Sequence, residues 1–108
     1  MPSIFNVHEF DSVVWLLPWQ PVAPGLELEL AKEVGTQHPL YQQKAVAVAR
    51  RLDNDDVLFV LPENTLPLAV VHLTWKGSPE ASPQWPSTVF YPSLTDWVEN
   101  CMKVDHVE

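Results

Sequence analysis

A chain of 108 residues, 46% of them hydrophobic and five of them tryptophan, has the length of one domain and is too apolar for a disordered acidic tail. Fourteen acidic side chains against six basic ones leave a net charge of −8, which repels phosphate backbones and anionic lipid over most of the surface, so neither nucleic acid nor an anionic membrane is an expected partner. The basic residues do not cluster either, since only Arg50 and Arg51 are adjacent while Lys32, Lys44, Lys76 and Lys103 are scattered.

The first 24 residues read as an irregular segment rich in proline and tryptophan. Pro2, Pro18, Pro21 and Pro24 each remove a backbone donor and push the preceding residue toward extended geometry. The run Val13-Val14-Trp15-Leu16-Leu17 fits an edge strand or a short helix. Trp15 and Trp19 are expected to fold back onto the domain, because two exposed indoles would form an adhesive patch; left uncovered, they would mark a contact surface. After Gly25, Leu26, Leu30 and Val34 recur at helical spacing, although Leu26, Leu28 and Leu30 also alternate like a strand. Strong helix formers, early glutamates and a late Lys32 favour a helix over 26–34, with Gly35 placed where a left-handed residue would end it.

The stretch 44–75 organises the chain as a meander. Val46 and Val48 point to one side of a first strand and Ala45, Ala47 and Ala49 to the other, although the alanines would also suit a helix. Asp53-Asn54-Asp55-Asp56 suits a turn better than a calcium loop, since the glycine and distal glutamate of such a loop are missing. Val57-Leu58-Phe59-Val60-Leu61 is the next strand, and 68–75 the third, with Ala69, Val71, Leu73 and Trp75 on its better core face. Residues 76–86 form a proline-rich loop, and 88–91 a short fourth strand closed by Pro92. Ser93 then caps the clearest helix, in which Leu94, Trp97, Val98, Cys101 and Met102 fall on one stripe, before a short polar tail from Asp105.

Chemical motifs are sparse. Three glycines make no phosphate cradle, and Cys-x-x-Cys, His-Glu-x-x-His and nucleophile-elbow patterns are missing, so no cofactor is expected. Imidazole and carboxylate groups at His38, His72, Asp105 and His106 are the candidates for a metal site, and His72, mid-strand, is the candidate acid–base residue. Trp75, Trp85 and Tyr91 flank the proline-rich loop and are the candidate binding aromatics. Cys101 excludes an intramolecular disulfide and reads as a small core residue; with no basic leader at Met1-Pro2-Ser3-Ile4-Phe5-Asn6 and no apolar run of about 20 residues, the expected location is the cytoplasm.

The strings His38-Pro39-Leu40-Tyr41, Asp55-Asp56-Val57-Leu58-Phe59, Val70-Val71-His72-Leu73-Thr74-Trp75, Trp85-Pro86 with Thr88, and Met102 with Asp105-His106 resemble a family of small uncharacterised bacterial proteins. The resemblance covers most of residues 26–106 and not the first 20. It implies a bacterial, cytoplasmic protein and brings no activity with it.

The expected fold is α+β, a single domain over 1–108 with a three- to four-stranded antiparallel sheet, an N-terminal helix and a C-terminal helix packed on one face. The expected function is a non-enzymatic, acidic protein-interaction module that can dimerise through an exposed sheet edge or face, of an immunity-like kind that masks a basic protein. The alternative is a small metal-dependent or acid–base enzyme that uses His72 with His38, Asp105 and His106.

Overall fold

A computed structural model describes residues 7–23, 25–80 and 82–106. In chain order the elements are a 3-10 helix (Val7–Ser12), β1 (Trp19–Pro21), α1 (Glu27–Glu33), β2 (Val46–Arg51), β3 (Asp56–Val60), β4 (Leu68–His72), β5 (Ser87–Tyr91), α2 (Leu94–Trp97), a π-helical turn (Val98–Met102) and α3 (Lys103–His106). The strands form one antiparallel sheet in the order β1-β2-β3-β4-β5. The class is α+β as expected, and the sheet has five strands where three or four were expected. Among the described residues no helix is long and apolar enough to cross a membrane.

The additional strand is β1, inside the segment expected to be irregular. Pro18 and Pro21 leave it three residues, paired as Trp19↔Arg51, Gln20↔Arg50 and Pro21↔Ala49. The ladder continues beyond both prolines, because the Leu52 N–H donates to the Pro18 carbonyl at 2.8 Å and the Val22 N–H to the Val48 carbonyl at 3.1 Å. The run 13–17 is neither strand nor helix. The reading of the leader at 1–6 lies outside the described residues.

Strands β3 and β4 are apolar at nearly every position, so both faces of the sheet need a cover. On one face α1 brings Leu30 and Val34, with Leu40, over Ala47, Val57, Phe59, Leu61, Ala69, Val71 and Leu73. On the other, Trp97, Cys101 and Met102 of the C-terminal helix join Phe10 and Trp19 over Ala49, Leu58, Val60, Leu68 and Val70. The two helices therefore lie on opposite faces of the sheet. Trp19 is fully buried and Trp15 half-buried, its ring stacked on Phe10 and edge-on to Trp97.

Local departures from simple periodicity have identifiable causes. The β2–β3 register shifts between Ala47 and Ala49, so Val48 and Ala49 pack against one face while Ala47 reaches the other; a bulge puts two residues opposite one and breaks the alternation expected for the three alanines. Strand β4 ends at His72, short of the expected Trp75, because the Glu33 carboxylate takes the Thr74 and Trp75 N–H groups at 2.8 Å each. Trp75 adopts a φ of 59° and leaves the sheet, nearly half exposed.

Ser93 caps the C-terminal helix as expected, its Oγ accepting the Asp96 N–H at 3.1 Å. The helix runs on through the π-helical turn to His106, so Asp105 and His106, expected in a polar tail, are helical.

Gly35 does not end α1 in the left-handed region; Val34 is extended there, at φ −79° and ψ 123°. The space at Gly35 is the constraint, since a Cβ would stand 2.9 Å from the Glu80 carbonyl oxygen, and the Glu80 N–H donates to the Glu33 carbonyl at 3.0 Å. Gly35→Ala is expected to cost about 1 to 3 kcal/mol through that backbone clash, visible as a lower urea midpoint; an unchanged midpoint would mean that the 73–80 segment is not held against α1.

Candidate functional site

The polar residues singled out in the sequence do not converge. His38 is buried between α1 and β2; its Nδ1 accepts the Leu40 N–H at 3.0 Å, so Nε2–H donates to the Pro86 carbonyl at 2.9 Å. Both ring nitrogens are engaged, and the neutral imidazole holds the loop before β5. His106 sits on α3 and donates from Nδ1 to the Leu17 carbonyl at 2.6 Å. Asp105 accepts from the buried Trp19 indole at 2.7 Å and lies 3.3 Å from Arg51. Among the described residues no group of three His, Cys, Asp or Glu side chains could hold a metal ion.

His72 has partners that sequence separation concealed. It stands on the β3–β4–β5 register directly between Asp56 and Ser87, and its Nδ1 meets Asp56 Oδ1 at 2.7 Å. Directly opposed residues in antiparallel strands share a face, so one row carries a carboxylate, an imidazole and a hydroxyl. The row is exposed at His72 and Ser87. Nearby Cys101 is no nucleophile: burial pushes its thiol up to about 12, leaving it protonated at neutral pH.

The acids of the 53–56 turn are likewise engaged. Asp53 makes a two-pronged contact with Arg51 at 2.8 Å for both oxygens, and that guanidinium holds its carboxyl below the ordinary range. Asp55 accepts the Trp75 indole N–H at 3.1 Å, and Asn54 Oδ1 accepts the Asp56 N–H at 2.8 Å, an Asx turn.

The candidate aromatics fall in different places. Trp75 lies beside Asp55, Trp85 is nearly half exposed in the loop before β5, and Tyr91 is half-buried on the face that the C-terminal helix covers. Burial, with Cys101 beside it, pushes the Tyr91 phenol well above its usual range. They do not line one groove.

The apolar surface gathers elsewhere, along the C-terminal helix. A groove of about 450 Å³ runs between the 12–16 segment and that helix, walled by Val13, Val14, Leu16, Leu94, Val98 and Met102. Further along the same two segments a second hollow of about 450 Å³ is walled by Leu17, Pro18, Leu52, Asp53, Asp105 and His106. Val14 is 78% and Leu17 61% exposed, so each hollow has a large aliphatic side chain open to solvent. The sequence marked 13–17 as apolar but could not place it, because Trp15 and Leu16 turn inward while Val14 and Leu17 turn out.

No protein-family model, no curated protein and no solved structure matches the chain.

Proposed function

We propose that the protein is a non-enzymatic interaction module that masks a basic protein partner, in the manner of an acidic immunity protein. The observation that supports this reading is the apolar groove at Val13, Val14 and Leu16, uncovered among the described residues, with the hollow at Leu17 and Leu52 further along the same segments, on a chain of net charge −8. Apolar contact would supply affinity there, while the acidic surface steers a cationic partner and makes the complex sensitive to salt. Immobilised protein is expected to capture a partner from lysate at low salt, to lose it at moderate salt, and to lose it at both when Val14 and Leu17 are replaced by Asp. Failure to retain any salt-sensitive partner would remove the proposal.

A second reading, a small acid–base enzyme, draws on the row Asp56, His72, Ser87. Its support is the 2.7 Å Asp56–His72 contact, which would orient the imidazole toward a nucleophile as in other serine, histidine and aspartate arrangements. A fluorophosphonate that labels Ser87 in wild type and not in His72→Ala would carry this reading; no labelling ends it.

A further inference from the structure

We infer that β5 is a homodimer interface, through which two copies of the chain join their sheets by antiparallel pairing about a two-fold axis. The inference uses a different surface from the groove of the interaction proposal and does not depend on it.

The sheet has two outer strands, and they are protected unequally. Strand β1 has three residues and ends at Pro21, which has no N–H to offer. Strand β5 has five residues, Ser87-Thr88-Val89-Phe90-Tyr91, all of them in register with β4 on its inner side. On its outer side no other strand is paired among the described residues, and none of their loop or turn backbone hydrogen bonds involves 87–91. Edge strands are ordinarily blunted by lysine, proline, a bulge or extreme shortness, because a free ladder recruits another strand. Within β5 none of these is present, and its residue types are strong strand formers. Pro86 and Pro92 bracket it and limit the ladder to these five residues.

Charge selects the occupant. Two copies of a chain carrying −8 repel over most of their surfaces, but residues 81–95 contain no Asp, Glu, Lys, Arg or His. The strand and its flanks therefore bring no charge of their own to the contact. An antiparallel edge is also complementary to itself under a two-fold axis. Centred on Val89, the pairing sets Val89 against Val89 of the second copy, Thr88 against Phe90, and Ser87 against Tyr91. These are cross-strand pairs of β-branched and aromatic residues, which favour pairing. Val89 is 52% exposed, so the centre of the row is open. The product is one continuous ten-stranded sheet.

The test is the mass of the full chain in solution over a concentration series, by sedimentation or light scattering. Wild type is expected to reach twice the 12.3 kDa of one chain. Val89→Asp places two like charges opposite each other on the axis and is expected to move dissociation to at least about tenfold higher concentration. Val89→Lys should act alike by itself, and an equimolar mixture of the Asp and Lys variants should recover the dimer, which also shows that both variants fold. Val14→Asp, in the groove, should leave the dimer unchanged. A wild type that stays monomeric, a dimer indifferent to both charged variants, or a mixture that stays monomeric would each overturn the inference.

Discussion

Trp97→Ala is expected to lower stability by about 3 to 5 kcal/mol, the range for deleting a large aromatic from a core that closes only partly over the cavity. For a domain of this size that is a fall in Tm on the order of 20 °C. Trp97 is fully buried, with Trp19 edge-on at 5.2 Å and Trp15 at 6.1 Å between ring centroids. It is an apolar contact between the C-terminal helix, the β1 strand and the 13–17 segment over Leu58, Val60 and Leu68, beside the hydrogen bonds of Asp105 to Trp19 and of His106 to Leu17. Its indole N–H is buried without a hydrogen-bond partner among the described residues, a cost already present in the native state. Trp97→Phe keeps a ring and removes that donor, so it should lose markedly less than Trp97→Ala. A Trp97→Ala melt that overlays wild type would mean that the helix is not part of the core.

What could be read in the sequence was whatever a short window determines. The run Val57–Leu61 has too many branched and aromatic residues for anything but a buried strand. The stripe from Leu94 to Met102 could only be a helix with a covered side, and the Ser93 cap followed from its hydroxyl and position. What depended on distant partners was not readable. Strand β1 exists because Arg50 and Arg51 offer it a ladder some 30 residues later in the chain. Trp75 leaves the sheet because a carboxylate 42 positions earlier takes its N–H.

The candidate sites follow the same division. Asp56, His72 and Ser87 lie 15 or 16 residues apart, and only the β3–β4–β5 register puts them in one row. His38 looked equivalent to His72 as a ligand, yet its ring is consumed by two backbone groups that meet only in the folded chain. The apolar character of 13–17 was plain, but which of its side chains face solvent is decided by Phe10 and Trp97, not by its own periodicity.

Glu33→Ala is expected to cost roughly 2 to 4 kcal/mol, because it leaves the Thr74 and Trp75 N–H groups without their acceptor and each such loss costs about 1 to 3 kcal/mol; the lower part applies since water reaches this segment. The pH dependence is a sharper test. Glu33 is fully buried, and burial first, then the adjacent Glu29 carboxyl, raises it above the ordinary carboxylate value of 4.5, while the two backbone donors pull less strongly the other way. Glu29 Oε2 is itself buried with no donor facing it among the described residues, so the two carboxyls are satisfied together only when a proton lies between them. A raised native value means that the folded state holds this proton more tightly than the unfolded one. The resulting stabilisation is fully present below the unfolded value and is lost as pH rises through the folded value. The stability advantage of wild type over Glu33→Gln, measured by urea unfolding, should therefore be largest below the ordinary carboxylate value of 4.5 and shrink as pH rises above it. An advantage that is constant or grows with pH would refute the shared proton. Glu29→Gln gives the converse: its amide can donate to Glu33 at any pH, so this variant should gain stability at neutral pH and flatten the slope, whereas a loss there would show that Glu29 supports the loop by some contact other than the proton it shares.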